Sequence, residues 1–226
     1  MSIRLDPSFR DHVAASDRAV IGMWACTGNA LVTEIAAGSG LDWLLIDMEH
    51  SANSLESVQS QLQVAAAYPI TPVVRVPFND QVMLKQVLDI GAQNVIVPMV
   101  SSAAEAEAAV RAVRYPPAGV RGVGSALARS ARWNRVDDYL KDASAHTSLI
   151  VQIENTEGVD AAAEIAAVDG VDAIFVGPSD LAASMGHLGE QTHPDVLAAV
   201  AQVFAAVQAA GKPVGVNAFD PVAAES

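Results

Sequence analysis

Short runs rich in Val, Ile and Leu alternate along the chain with Ala-rich segments whose apolar residues follow a helical period. The runs are almost continuously apolar, as parallel strands are when both faces of their sheet are buried. Seven such strands, six of them followed by a predicted helix, favour an α/β fold of the (β/α)8 TIM-barrel type over an open sheet. The predicted strands lie within 19–25, 43–47, 72–76, 94–100, 148–154, 172–177 and 213–217. The predicted helices lie within 30–38, 55–67, 80–88, 103–113, 158–168 and 194–210.

The uninterrupted alternation of strands and helices predicts one domain spanning residues 1–226. No low-complexity linker interrupts the alternation, and Thr156 and Ser179 are expected to cap the helices after the fifth and sixth strands. Few residues follow the seventh strand, so the last β/α unit of the barrel is expected to be missing from this chain. The connection 114–134 is rich in Gly and Arg, and it is too long for a loop that only joins two elements.

Charge and composition exclude several classes of function. The chain has 26 acidic and 13 basic residues, a net charge of −13, which argues against a nucleic-acid partner. No apolar run approaches the roughly 18–20 residues that cross a bilayer, and the N-terminus lacks an apolar signal core. A single cysteine, Cys26, excludes an internal disulfide. We therefore expect a cytoplasmic protein without membrane contact.

Polar residues collect where the predicted strands end. In (β/α)8 barrels the carboxyl ends of the strands carry the functional residues, whereas the opposite face serves stability. A single polar residue at such a place is more often structural, but several strand ends agreeing on one face favour a site. The residues concerned are Asp47, Glu49 and His50 after the second strand, Arg75 at the third, Gln152 and Glu154 at the fifth, and Asp180 after the sixth.

Glu154 and Asp180 are candidate metal ligands. They leave neighbouring strands, and two carboxylates brought close together repel unless a cation lies between them. Carboxylates with the remaining positions open to water and substrate oxygens suit Mg²⁺ or Mn²⁺. The alternative is that each acid only caps a helix, which fits Asp180 better than Glu154.

Arg75 and His50 are candidates for the chemistry itself. Arg75 interrupts an otherwise apolar strand, and burying its guanidinium is costly unless it faces an anion, such as a ligand carboxylate or an enolate oxygen. The alternative is an ion pair with Glu49 or Asp47. His50 is the histidine that lies at a strand end. No lysine lies at one, which argues against Schiff-base catalysis.

These residues lie in segments that resemble the metal-dependent class II hydroxyketoacid aldolases, the family of 4-hydroxy-2-oxoheptanedioate aldolase and 2-dehydro-3-deoxygalactarate aldolase. The resemblance covers about residues 21–219, and the long Arg-rich connection is most similar to the heptanedioate enzymes. Its markers are "GLDWLLIDMEH", "VVRVPFND", "VPMV", "RYPPAGVRGVGSALARSARWNR", "VQIE" and "GPSDL".

The resemblance implies roles for individual residues. His50 corresponds to the general base and Arg75 to the residue that stabilises enolate charge, while Asp89 raises the basicity of the histidine. The family uses Mg²⁺, Mn²⁺ or Co²⁺ and forms homohexamers. The remaining correspondences are Glu154 and Asp180 as metal ligands, Gln152, Gly177, Ser179 and Asp180 as pyruvate contacts, and Asp47 as a further acid near the histidine.

Asp89 does not fit a site within one chain. It ends the third predicted helix, on the stability face of its own barrel and far from His50. We therefore expect Asp89 to enter the site of a neighbouring subunit, which makes the active site interfacial in a homo-oligomer.

The predicted activity is that of a class II pyruvate aldolase. It would cleave 4-hydroxy-2-oxo acids, such as 4-hydroxy-2-oxoheptanedioate, into pyruvate and an aldehyde, as in the catabolism of aromatic compounds. Arg121 and Gly122–Ser125 are candidates for the aldehyde end, with a purely structural loop as the alternative. Two other functions stay open, namely a metal-dependent lyase of malyl-CoA or citramalyl-CoA thioesters and a barrel that binds oxo acids without catalysis.

Overall fold

The protein alternates strands and helices as the sequence predicts, and a computed structural model describes its residues 3–218. All seven predicted strands are present. The strands are β1 (Gly22–Ala25), β2 (Trp43–Asp47), β3 (Thr71–Arg75), β4 (Asn94–Val97), β5 (Ser148–Ile153), β6 (Ala173–Val176) and β7 (Val214–Val216). The α-helices are α1 (Phe9–Ala15), α2 (Ala30–Ala37), α3 (Leu55–Ala65), α4 (Gln81–Asp89), α5 (Ala103–Val113), α6 (Tyr139–Asp142), α7 (Thr156–Asp160), α8 (Ala162–Ala167), α9 (Pro178–Ser184) and α10 (Pro194–Ala209).

The strands form one sheet in the order β1 to β7, so that each strand lies beside its neighbour in sequence. Neighbours pair in parallel from β1 to β4 and from β5 to β7, and the β2–β3 register places Asp47 opposite Arg75. This confirms the α/β class and the parallel sheet, which crossover helices make possible. The prediction of a missing eighth unit concerns the chain after residue 218, outside the described residues.

The described chain divides into two compact units. The first runs to Ile96 and includes Ala109–Leu149, and its core contains fully buried strand residues such as Leu45 and Val73. The second comprises Val97–Ala108 and the chain from Ile150 onward. In it α10 packs against α7, α8 and α9. Most apolar residues of β2–β6 are buried, and their removal from water stabilises the fold, whereas Met23 in β1 and Val216 in β7 are exposed.

Two helices begin differently from the prediction. The side chain of Asn155, not Thr156, caps α7, because its Oδ1 accepts the amide of Gly158 at 2.7 Å. The N-cap of α9 is Gly177, and Ser179 lies inside the first turn behind Pro178. Both predicted caps were therefore wrong, since an asparagine competes for one position and a proline fixes the other. The segment predicted as one helix over 158–168 falls instead within two short helices, α7 and α8.

The long connection after α5 has a core of its own. Ala131, Val136, Tyr139 and Ala143 pack together, and Tyr115 packs against them. The side chain of Arg121 in the same connection is completely buried. The segment is thus part of the packed structure of the first unit.

Among residues 3–218, no helix combines the length and apolar character that crossing a membrane requires.

Candidate active site

Asp47 and Arg75 form a buried ion pair at the ends of β2 and β3. Arg75 donates from Nε to Oδ1 and from Nη2 to Oδ2 of Asp47, both at 2.8 Å. The parallel register sets these two residues side by side, which permits the bidentate geometry. Burial alone would raise the pKa of Asp47, but the hydrogen bonds and charge of Arg75, with the amides of Glu49 and His50, lower it below its ordinary value.

The Arg75 guanidinium is fixed from other sides as well. Its Nη1 lies 2.9 Å from Oε2 of Glu49, and its Cζ lies 4.4 Å from the centre of the Trp24 ring on β1. Carboxylates and an aromatic face together hold the cation in one orientation. The ion pairs considered as an alternative for Arg75 are therefore present, with both Asp47 and Glu49. A fixed guanidinium is also what stabilisation of a developing negative charge requires.

His50 lies in a turn that hydrogen bonds to Asp47 hold in place, and its ring is exposed to solvent. The main-chain amide of His50 donates to Oδ2 of Asp47 at 3.3 Å, and Asn53 donates to the carbonyl of Asp47 at 2.6 Å. The His50 side chain is 66% exposed, and its Nε2 lies 4.0 Å from Oε2 of Glu49, beyond hydrogen-bonding distance. Asp47 thus positions the main chain of His50, and the ring is accessible to a substrate or a bound water.

Glu154 carries a buried carboxylate directly after β5. Its Oε1 accepts the main-chain amide of Met99 at 2.7 Å, and its Oε2 accepts the side-chain amide of Gln152. Met99 has a φ of 54°, in the left-handed region that side chains other than glycine rarely adopt. The strained main chain at Met99 therefore presents its N–H to the carboxylate, an arrangement often found at functional sites.

Gly177 lies against the same carboxylate. A Cβ at this position would lie 2.4 Å from Oε2 of Glu154 and 2.7 Å from Nε2 of Gln152, so no larger residue fits without displacing them. Oε1 of Gln152 is buried and has no hydrogen-bond partner within the described residues. A buried acceptor without a donor is costly unless a ligand or its water supplies one.

Ser179 and Asp180 follow in the first turn of α9, and both are exposed. Ser179 donates from Oγ to Oε1 of Gln191 at 3.0 Å. An acidic residue in the first turn also interacts favourably with the helix amides. The second unit therefore contains a buried carboxylate, Glu154, and an exposed one, Asp180.

The chemistry of this donor set fits a divalent cation. Carboxylate oxygens are the ligands that Mg²⁺ and Mn²⁺ prefer, and Mg²⁺ is usually bound by one or two carboxylates with water or substrate oxygens. The Glu154 carboxylate accepts hydrogen bonds from two amide groups, those of Met99 and Gln152, which orient it as outer partners orient a metal ligand.

Asp89 and Arg121 are bonded to each other in the first unit. Nη2 of Arg121 lies 3.2 Å from Oδ1 of Asp89, and the guanidinium lies 4.5 Å from the centre of the Tyr115 ring. Arg121 is fully buried, whereas the Asp89 side chain is 28% exposed at the end of α4. The pair keeps one carboxylate edge of Asp89 at the protein surface. The role of Asp89 in a neighbouring subunit and that of Arg121 at the aldehyde end both stay predictions.

Sequence reasoning missed three contacts of these groups. The contact of the Trp24 ring with Arg75 depends on tertiary packing. The hydrogen bond from the Met99 amide to Glu154 depends on one unusual φ. No local sequence pattern predicts either contact. The steric role of Gly177 could have been suspected, because a glycine directly after a buried strand often marks close approach of the backbone to another group.

Comparisons with known proteins identify relatives over nearly the whole chain. The model of the HpcH/HpaI aldolase/citrate lyase family matches residues 20–226. The chain is 52% identical to the hydroxypyruvate/pyruvate aldolase of Pseudomonas aeruginosa over 205 residues, covering 91% of this chain and 76% of the relative. It is 49% identical to the 4-hydroxy-2-oxo-heptane-1,7-dioate aldolase of Salmonella paratyphi C over 217 residues, covering 96% of this chain and 82% of the relative.

A solved structure is similar in fold as well. The crystal structure of an HpcH/HpaI aldolase/citrate lyase family protein from Burkholderia cenocepacia superimposes with a TM-score of 0.92 at 43% identity. The superposition covers 96% of this chain and 86% of that one.

Proposed function

This chain belongs to the HpcH/HpaI aldolase/citrate lyase family, and from that membership we propose that it is a class II pyruvate aldolase. It cleaves 4-hydroxy-2-oxo acids reversibly into pyruvate and an aldehyde, which makes it a carbon–carbon lyase. The observation that carries the proposal is the 49–52% identity to enzymes named as aldolases of hydroxypyruvate and pyruvate or of 4-hydroxy-2-oxo-heptane-1,7-dioate. The buried polar groups that follow β2, β3 and β5 support it.

The sheet is proposed to belong to a (β/α)8 barrel that forms one catalytic domain. The sequential order of parallel strands supports this, as does the single family match that runs through residues 20–226. In such a barrel the carboxyl ends of the strands carry the active site. On that basis we propose catalytic roles for the polar residues at the ends of β2 and β3 and for those that follow β5 and β6.

Glu154 and Asp180 are proposed to hold a divalent ion, Mg²⁺, Mn²⁺ or Co²⁺, which when bound supplies Lewis acidity to the keto group of the 2-oxo acid. The amides of Met99 and Gln152 keep the Glu154 carboxylate in place. Gln152, Gly177, Ser179 and Asp180 are proposed to contact the pyruvate part of the substrate. The buried Oε1 of Gln152 is an acceptor without a donor among the described residues, and a water molecule that accompanies the substrate would supply that donor.

Arg75 is proposed to donate to the keto oxygen as negative charge develops there. Because Asp47 and Glu49 already fix its guanidinium, little reorganisation accompanies the formation of the enolate. The role of Asp47 is then to hold both Arg75 and the main chain of His50. Hydrogen-bond donors that are fixed in this way stabilise the transition state when they point at the atom on which negative charge develops.

His50 is proposed as the general base, acting through a bound water. In the cleavage direction it removes the proton of the 4-hydroxyl group as the bond between C3 and C4 breaks, and in the reverse direction it removes a methyl proton of pyruvate. Its exposed ring supports this assignment. Asp89 from a neighbouring subunit is proposed to raise the basicity of His50, and its partly exposed carboxylate is available for such a contact.

The oligomer is proposed to be a homohexamer with interfacial sites, working in the cytoplasm, where an exposed thiol such as Cys26 stays reduced. Gly122–Ser125 and Arg121 are proposed to serve the aldehyde end. The burial of Arg121 and its bond to Asp89 favour an action through Asp89 over direct contact with the aldehyde.

A coupled assay of pyruvate release tests the proposed function. We expect turnover of one or more 4-hydroxy-2-oxo acids in Mg²⁺ or Mn²⁺, loss of turnover in EDTA, and recovery when the ion is returned. Full activity in chelator would refute the metal role. Absence of pyruvate across a panel of chain lengths, with cleavage of a malyl-CoA thioester instead, would refute the aldolase assignment. Binding of oxo acids with no cleavage of either kind would refute catalysis.

A further inference from the structure

Two histidines and a glutamate gather in the segment that joins α9 to α10. His187, Glu190 and His193 each offer one ligand atom, and these atoms all lie within 4.8 Å of one another. We propose that these residues form a second metal site, separate from Glu154 and Asp180, that binds a transition-metal ion such as Zn²⁺. Two imidazoles and a carboxylate with a fourth position for water is a common ligand set of zinc in proteins.

The main chain already brings the three residues together. The amide of Glu190 donates to the carbonyl of His187, and the amide of His193 donates to the carbonyl of Glu190, both at 2.9 Å. Gly189 takes a φ of 83°, which lets the chain turn between them. His193 is also the N-cap of the sixteen-residue α10, which anchors one end of the set. Binding of a metal ion would therefore require little further ordering of the main chain.

The two histidine rings stack face to face. Their centroids lie 3.6 Å apart with an angle of 16° between the ring planes. The stack holds both rings close together, as two ligands of one ion require.

Asp195 supplies an outer carboxylate. Its Oδ2 lies 3.5 Å from Nε2 of His187 and 3.8 Å from Nδ1 of His193. An imidazole that binds a metal through one nitrogen carries its proton on the other, and such a proton usually meets a carboxylate. A small rotation of the His187 ring gives this hydrogen bond to Asp195, whereas Nδ1 of His193 accepts the main-chain amide of Asp195 at 3.2 Å and must release it when His193 binds the ion. With Glu190, the set has two carboxylates to balance a divalent cation.

Zinc titration tests the proposal without relying on enzyme activity. Glu154→Gln serves as the parent, because it removes the other proposed metal ligand, and calorimetry with Zn²⁺ measures sites per chain. We expect the parent to bind one more Zn²⁺ than the variants Glu190→Gln and His187→Ala made in it. Asp195→Asn should weaken the site by about 10- to 100-fold, as the loss of an outer partner does.

The controls separate a site from an accidental loss of structure. His146→Ala in the same parent removes a histidine outside the cluster and should leave the Zn²⁺ stoichiometry unchanged. Glu190 is exposed, so Glu190→Gln should fold like the parent, as checked by circular dichroism. Co²⁺ in the parent should give the visible absorption of a low-coordinate site, absent in Glu190→Gln. Equal Zn²⁺ stoichiometry and affinity in the parent and in folded Glu190→Gln and His187→Ala would overturn the proposal.

Discussion

Gly177→Ala tests whether the main chain after β6 holds the Glu154 carboxylate in a working position. The φ of Gly177 is −102°, which alanine adopts freely, so the substitution introduces no backbone strain. Its effect must come from the added methyl group. That Cβ would lie 2.4 Å from Oε2 and 3.0 Å from Cβ of Glu154, and 2.7 Å from Nε2 of Gln152.

The size of the effect follows from these distances. Ordinary contact begins at 3.4 Å, so the carboxylate oxygen or the main chain must move by about 1 Å. A displacement of about 1 Å in a catalytic group lowers the rate by about 10²-fold. Overpacking of this kind also costs about 1–3 kcal/mol of stability, which a folded domain of ordinary stability tolerates. We therefore expect a folded variant with kcat reduced by about 10²-fold and weaker Mn²⁺ binding.

Pyruvate release measures kcat, and calorimetry with Mn²⁺ measures the affinity of the ion. Gly38→Ala is the matched control, since a Cβ there would meet the Tyr68 ring at an ordinary 3.5 Å. It should leave both quantities unchanged. If Gly177→Ala retained the kcat and the Mn²⁺ affinity of the wild type, the assigned position of Glu154 in the mechanism would be refuted.

Three further experiments test the other proposed roles. Arg75→Lys keeps the charge but loses the bidentate contact, and should lower kcat by about 10²-fold; an effect on KM alone would make Arg75 a binding residue. Co-expressed His50→Ala and Asp89→Asn chains, each inactive alone, should recover activity in mixed oligomers, and no recovery would contradict an interfacial site. Asp47→Asn should destabilise the protein by about 3 kcal/mol at pH 7, since it breaks a buried ion pair. Because the pKa of Asp47 is lowered in the fold, this loss should shrink in thermal unfolding as the pH falls below about 4, and a constant difference would contradict it.

The strands could be predicted because burial on both faces leaves a continuous apolar run in the sequence. β2, β4, β5 and β6 show this clearly, since all of their residues are buried. Helix starts were less certain, because Asn155 and Thr156 are both good caps and only the geometry of the turn selects the asparagine. Pro178 did give a usable signal for the start of α9, since proline favours the first helical position.

The candidate site could be predicted as a set of residues but not as a set of contacts. Arg75 and Asp47 are far apart in sequence, and only the strand register makes them a bidentate pair. The left-handed φ of Met99 follows from no local residue preference, so its bond to Glu154 was not foreseeable. The stacking of His187 on His193 likewise depends on a turn at Gly189 that the sequence permits without requiring.

The contact from Met99 to Glu154 also has a consequence for redesign of the enzyme. The bond uses the main-chain N–H, while the Met99 side chain itself is 50% exposed. Anchoring is thus independent of side-chain identity at this position, which leaves residue 99 open to variation. Glycine and asparagine tolerate the left-handed backbone best, and proline alone lacks the required N–H. Position 99 is therefore a place where a library can change the protein surface next to Glu154 while the carboxylate keeps its support.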